Sequence, residues 1–474
     1  MGSCVEVARS ISIQGGTHWT HGPRESISME DFAAQTHGGD LDGIQSRLSA
    51  LRDSCTWRML QRFLKDPTCA IEITTLLAHL WELLHSSYWK DVPCIYREFY
   101  ALASCASALR LLGLQRDLEA LRAADMGILL GSPCVARSKL QDIAQRIHDA
   151  QIAGAQVVGA VGAVSQHNTD DDGEGNRLIG KRQRLREPPA PTRLPPHSLS
   201  ASTALRRLHR CSLSDFSSLY FDIGMPVIIG GMMDEWPAMG AWSDLGQIKR
   251  LMGLRTVPVE IGRTYLDYGA GTRLMTVSAF IDAYILGGGN GGGDGETGYL
   301  AQHRLLDHIP ALMHDIDVPD YTVLGESRDN VSINCWFGPA NTISPLHFDT
   351  SHNILAQISG HKYVRLYAPN ETPKLYPLTG KMKNNSRVDL LNVDTAAFPA
   401  VSSAQFVDAI LSPGEMLYIP KGHWHFVQAY TNPPHMVSEF SFSVSFWWDC
   451  SELEMGHGEE DEADKDEDEE RPYL

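Results

Sequence analysis

Residues from about 205 to 450 alternate short runs of β-branched and aromatic residues with turn-forming Pro and Gly, and no other feature constrains the fold as tightly. Residues 331–337, 363–367 and 442–448 are such runs. Branched and aromatic side chains pack well on a pleated surface, so the runs predict strands. Many short strands joined by Pro-Gly turns predict a closed or two-sheet β architecture of jelly-roll type.

The preceding part has a different period. Leu77, Leu80, Trp81 and Leu84 fall at i, i+3, i+4 and i+7, and Ile95, Phe99, Leu102, Ala106 and Leu109 continue after Pro93. That spacing predicts helices, and short connections predict a compact bundle. An acidic turn-rich stretch at 170–175 and the prolines 188, 189, 191, 195 and 196 then predict a linker. The expected organisation is a disordered N-terminus 1–40, a helical domain 41–150, a flexible linker 151–200, a β domain 201–450 and an acidic disordered tail 451–474. Gly287 to Gly298 is a Gly-rich stretch lacking the Gly-Lys-Ser/Thr ending of a phosphate loop, so a surface insertion is expected.

The formal charge is −18, but twelve acids and one lysine between Glu452 and Glu470 place −11 of it in the tail. Direct nucleic-acid binding through a basic face is therefore not expected. A basic, histone-like partner suits the charge, and the plainer reading is a solvated tail. Nine Cys are scattered singly with no C-x-x-C pair, which speaks against a zinc ribbon and for a reducing compartment. No membrane helix, signal peptide or myristoylation site is expected. Lys181, Arg182, Arg184 and Arg186 read either as a nuclear localisation signal or as a solvated basic patch.

The segment 344–349, Ser-Pro-Leu-His-Phe-Asp, carries the chemistry. Residues two apart on a strand point to one side, so His347 and Asp349 can present an imidazole and a carboxylate to one ion. The segment 413–425 reads as turn, strand, turn and a second strand with His423 and His425, and either can supply a third ligand. Two His and one carboxylate define the non-haem Fe(II) oxygenase site, which leaves room for a chelating co-substrate and O2. A structural zinc site would close all four positions, preferably with Cys. With nineteen His in the chain the pattern alone is weak, and Lys362 strengthens it. On an inward strand face a Lys needs an anion, and the distal carboxylate of 2-oxoglutarate would serve; on an outward face it is merely solvated. Tyr299, Ser344 and Asn353 are further polar groups able to bind carboxylates. His352, His361 and His435 are expected at the surface.

These motifs resemble a known family. Residues 333–339 and 342–349, with 299–303, 362–367 and 443–448, closely resemble the family of Jumonji-C domain-containing protein five, and 80–85 and 124–131 resemble its N-terminal helices. The likeness covers roughly residues 60 to 450 and implies an α+β chain: a double-stranded β-helix (jelly-roll, cupin) Jumonji-C domain preceded by an α-helical domain. It implies iron ligation by His347, Asp349 and His425, the His of a Trp-His pair, with an aromatic usual where His423 stands. It implies Fe(II) as cofactor, with 2-oxoglutarate and O2 as co-substrates, the former contacted by Ser344, Asn353, Lys362 and Trp447. It implies substrate contacts at Glu260, Gln302 and Trp336. The insertion 431–439, the Gly-rich loop and the tail fall outside the likeness.

Two reactions follow from that likeness. One is stable hydroxylation of an arginine side chain in a protein substrate; the other is oxidation of an N-methyl group on a histone lysine. Arginyl hydroxylation is the favoured expectation, because a carboxylate such as Glu260 can hold a guanidinium by paired charged hydrogen bonds, whereas a methylated ammonium favours an aromatic cage. The ligand triad offers little to a histone peptidase. A non-catalytic chromatin adaptor and a cupin isomerase are the readings from other classes, and neither needs Lys362. The helical half is expected to bind a protein partner, and the chain to act in the nucleus and also the cytoplasm.

Overall fold

A computed structural model describes residues 55–66, 68–86, 92–131, 135–164, 191–266, 271–287, 296–325, 331–432 and 440–448. The N-terminus 1–40, the basic cluster 181–186, most of the Gly-rich stretch, residue His435 and the acidic tail lie outside the described residues. The rest forms two compact units: a helical one, which also takes in Leu254–Val257, and a β-rich one.

The helical unit comprises α1 (Cys55–Lys65), α2 (Ala70–His85), α3 (Cys94–Gly113), α4 (Asp117–Leu130) and α5 (Val135–Val164). Helix α2 buries Ile73, Leu76, Leu80 and Leu84, an amphipathic stripe of helical period. Trp81, expected on that stripe, is instead 38% exposed and stacks on His85 with ring centroids 4.1 Å apart. One residue turns a helix by about 100°, so position 81 falls beside the stripe that Leu80 centres. Fully buried Ala101, Ala103 and Ala108 keep α3 slim. A Cβ at Gly127 of α4 would come within 2.6 Å of Ser104 Cβ on α3 and 2.8 Å of Leu140 Cδ1 on α5, so glycine is what permits that approach. Helix α5 runs past residue 150, where the linker was expected to begin. The stretch 151–164 is rich in alanine, the best helix former, which outweighs its glycines.

The β unit has strands β1 (Arg207–His209), β2 (Val227–Gly230), β3 (Thr256–Ile261), β4 (Gly271–Thr276), β5 (Gly298–His303), β6 (Ser332–Pro339), β7 (Ile343–Phe348), β8 (His352–Ser359), β9 (His361–Tyr367), β10 (Val407–Leu411), β11 (Glu415–Ile419), β12 (Trp424–Tyr430) and β13 (Phe440–Trp448). They form two sheets, in the orders β1-β2-β11-β8-β13-β6-β5-β3-β4 and β10-β9-β12-β7. The pairings along β2-β11-β8-β13-β6-β5-β3 and β10-β9-β12-β7 are antiparallel, as the jelly-roll expectation required, and β1 with β2 is parallel. β8, β12 and nearly all of β13 are buried along their length, although β8 alone carries His352, Asn353, Gln357 and Ser359. Fully buried Val364, Leu366, Leu411 and Leu417 contribute to the apolar core between them.

The chain leading into β1 is fastened to the smaller sheet through one buried carboxylate. Asp408 on β10 accepts from Leu199 N at 2.8 Å, Thr203 Oγ1 at 2.7 Å and Tyr363 Oη at 2.9 Å. Arg365 adds bonds from its guanidinium to Tyr363 Oη, Pro196 O and Ser198 Oγ, and lies 3.8 Å from the Phe406 ring centroid. Asp408→Ala is expected to destabilise the β unit by about 2–4 kcal/mol, since three donors, the buried Tyr363 hydroxyl among them, lose their common acceptor. Urea denaturation measures this; a change within ~0.5 kcal/mol would mean that these bonds contribute nothing net.

Candidate metal centre

His347 lies near the end of β7, and Asp349 follows that strand directly. β12 pairs with β7 so that His425 stands opposite His347, with ring centroids 4.2 Å apart. The three side chains offer ligand atoms that all lie within 4.8 Å of one another. His425 Nε2 is 3.6 Å from Asp349 Oδ2, and His347 Nε2 is 4.0 Å from Asp349 Oδ1. The 75 residues between Asp349 and His425 are thus bridged by sheet register.

Backbone carbonyls set both imidazole tautomers. His347 Nδ1 donates to Pro345 O at 2.6 Å, and His425 Nδ1 donates to His423 O at 3.0 Å. A carbonyl can only accept, so each Nδ1 carries a proton and Nε2 is the nitrogen left to ligate. Burial, then the neighbouring His347, pulls His425 down to about 4, so its imidazole stays neutral at ordinary pH. Asp349 Oδ2 is buried and has no hydrogen-bond partner. Its main-chain carbonyl is held by Gly422 N at 2.8 Å, in a turn where Gly422 has a φ of 75° that favours glycine. An orphaned carboxylate oxygen beside two imidazole Nε2 atoms fits a divalent cation. Two nitrogens and one oxygen make the open-sided donor set of ferrous iron, not the closed set of structural zinc.

His423 precedes β12 and stays outside this cluster; it serves His425 through its carbonyl. Trp424 locks the start of β12, packing edge-on against Phe348 at 4.8 Å and donating from Nε1 to Thr372 Oγ1 at 2.9 Å. His352 was expected at the surface, and the structure corrects this. Alternation along β8 turns it away from Asn353 into an aromatic layer, where Nδ1 meets Tyr418 Oη at 2.9 Å and the ring stacks on Trp448. His361 is half-buried.

The triad opens into a pocket, and Trp336, Ser344, Asn353, Lys362 and Trp447 line it as well. Lys362 is 3% exposed, and among the described residues no carboxylate forms an ion pair with it. Its Nζ donates to Tyr299 Oη at 3.1 Å and lies 5.6 Å from the Trp336 ring centroid and 5.8 Å from that of Tyr299. Burial pulls the ammonium down to about 7. Tyr299 is also hydrogen-bonded to Ser344 and Thr342, and its ring packs where a Cβ at Gly338 would come within 2.7 Å of it. Asn353 Oδ1 and Trp447 Nε1 are buried without a partner, an acceptor and a donor left for a polar guest.

Glu260 and Gln302 stand further out. Glu260 pairs with Tyr299 across β3 and β5, is half-buried, and has its carboxyl raised by burial to about 7. Gln302 is exposed, with a φ of 45° in the irregular β5–β6 pairing between Leu300 and His303. Neither lines the pocket. Sequence reasoning missed Ser445, Leu355, Ile419 and Val427, which do. The signal for Ser445 was its place two residues before Trp447, on the same strand face.

Comparison with known proteins agrees with this architecture. Residues 214–453 match the model of a cupin-like domain, and residues 59–159 match that of KDM8-like N-terminal ARM repeats. The chain is 38% identical to lysine-specific demethylase 8 of Xenopus tropicalis, over 79% of this chain and 87% of that protein. It is 36% identical to lysine-specific demethylase JMJ30 of Arabidopsis thaliana, over 78% of this chain and 83% of that one. It is 31% identical to Jumonji C domain-containing protein 5 of Drosophila melanogaster, over 80% and 86%.

Proposed function

We propose, for a chain that belongs to the cupin-like Jumonji-C family of lysine-specific demethylase 8 and Jumonji C domain-containing protein 5, that it demethylates N-methyl-lysine in a basic protein segment, using Fe(II), 2-oxoglutarate and O2. The observation that carries this oxygenase reading is the open-sided triad sharing a pocket with a buried, anion-seeking lysine. The choice of methyl-lysine rests on similarity to proteins named lysine-specific demethylases. This reverses the expectation drawn from Glu260, which favoured arginine. Arginyl hydroxylation is the second reading, supported by the half-buried Glu260 carboxylate beside Tyr299.

In this reading His347, Asp349 and His425 hold the metal, which supplies O2 activation coupled to decarboxylation of 2-oxoglutarate. Lys362 and Tyr299 receive the distal carboxylate of 2-oxoglutarate. Ser344, Asn353 and Trp447 offer the remaining polar contacts. Apolar Leu355, Ile419 and Val427 keep water from the reacting C–H bond. Trp336 faces the substrate's cation, Glu260 supplies the opposite charge, and exposed Gln302 is left to contacts outside the pocket. One oxygen atom enters the methyl C–H bond and the other ends in succinate beside CO2. The hydroxymethyl amine then releases formaldehyde and leaves the demethylated amine. The helical unit would bind a protein partner, and the nucleus is the proposed site of action. Among the described residues no helix is long and apolar enough to cross a membrane.

Mass spectrometry of methyl-lysine and arginine peptide pools tests the reading. Loss of a methyl group with formaldehyde release supports demethylation, and a gain of one oxygen on arginine supports the second reading. Succinate production without either change would overturn both. If Glu260 meets the substrate's cation, the peptide KM falls as pH rises through about 7, because the carboxylate predominates only above its raised midpoint. Glu260→Gln should abolish that dependence, and an unchanged pH profile in the variant would remove Glu260 from the substrate site.

A further inference from the structure

We propose that Ser445 positions the Trp336 indole and so sets how tightly the pocket accepts the cationic side chain of its protein substrate, a role that rests on the reading of the pocket given above. Both residues line the pocket. In the pairing of β6 with β13, Trp336 stands opposite Ser443, and Ser445 stands opposite Asn334. The indole nevertheless donates from Nε1 to Ser445 Oγ, at 2.9 Å. Diagonal cross-strand neighbours are within reach of an aromatic side chain. The indole therefore leans along β13 towards Trp447, which lines the same pocket and pairs with Asn353. In that pose its ring centroid lies 5.6 Å from Lys362 Nζ and 6.1 Å from the Tyr299 ring.

A second hydroxyl competes for the same donor. Ser443 Oγ, on the residue opposite Trp336, is fully buried and makes no hydrogen bond. An indole seated on Ser443 would be withdrawn from the Trp447 end of the pocket. Ser445 holds the other pose, in which Lys362 Nζ lies over one side of the ring and the opposite side is the one offered to the substrate's cation. Ser445 acts through Trp336 and is a positioning residue.

The test uses the full-length protein. In iron-free protein with ¹⁵N-labelled tryptophan, the Trp336 indole resonance is identified by its loss in Trp336→Phe. It should move in Ser445→Ala, return in Ser445→Thr and stay in place in Ser443→Ala. With iron, 2-oxoglutarate and a methyl-lysine peptide, Ser445→Ala should raise the peptide KM about fivefold, the factor expected for one ordinary hydrogen bond. The kcat and the KM for 2-oxoglutarate should stay within about twofold, and Ser445→Thr should restore the peptide KM. An unmoved resonance in Ser445→Ala, an equal shift in Ser443→Ala, or a parallel rise in both KM values would overturn the proposal. A wild-type enzyme that oxidises no basic peptide would instead sink the functional reading and with it the cation role, while the resonance would still decide whether Ser445 seats Trp336.

Discussion

His347→Ala is expected to lose iron and all measurable turnover while keeping its fold. The pocket supplies three donor atoms and, among the described residues, no fourth to replace one. Changing a residue that only supports a ligand costs roughly 10–100-fold in metal affinity or activity, so removing a ligand costs more. The fold should survive because the strand pairing of His347 with His425 is made by backbone atoms, and the side chain's hydrogen bond goes to a carbonyl two residues away. Metal analysis and succinate production check the loss. Thermal denaturation with added Mn²⁺ gives a readout independent of turnover, because a ligand that binds only the folded state raises stability by RT ln(1 + [L]/Kd), about 2.7 kcal/mol at a hundredfold excess over Kd. The wild type should show that rise and the variant should not. Normal turnover by His347→Ala would remove this residue from the site.

Local periodicity reaches only as far as the chain is locally regular. His347 and Asp349 could be paired from sequence because they lie two apart at a strand end, and the strand interval sets their common side. His425 could not be chosen over His423 on that ground, since the two also lie two apart; the turn that ends just before Trp424 decides between them, and it became visible through the β7–β12 register. His352 shows the converse. Strand alternation placed it opposite to Asn353 but could not say that an aromatic layer covers that side, because Phe221 comes from 131 residues away. The helical half was legible as helix, yet its stripe lay one residue from Trp81 and its last helix continued beyond residue 150. Composition is a poor guide to a boundary where alanine and glycine mix, since they pull helix propensity in opposite directions. For Ser445 the two-residue interval from Trp447 marked the strand face, but not which of two serines an indole on another strand bonds.

Lys362→Met is expected to raise the KM for 2-oxoglutarate by ~10–100-fold, the range for losing a hydrogen bond to a charged group, and to leave the fold as stable as before or more so. The two effects together separate a ligand-binding lysine from a structural one. A structural lysine repays its burial through a carboxylate, and its removal lowers stability. Lys362 meets a phenol and two aromatic faces, and burial already draws its ammonium down to about 7. The folded protein therefore bears a desolvated amine whose natural counter-ion is a carboxylate arriving with the co-substrate. Methionine keeps much of the volume and removes that desolvation cost, the kind of exchange in which stability gained at a site is function lost. The wild-type KM for 2-oxoglutarate should also rise as pH climbs above about 7, because the free enzyme's ammonium gives up its proton there. That slope should be missing in the methionine variant. Co-substrate titrations across pH, with thermal denaturation of both proteins, measure all three effects. A variant that unfolds several degrees lower with an unchanged KM would assign Lys362 to the core and take away the anchor for the distal carboxylate.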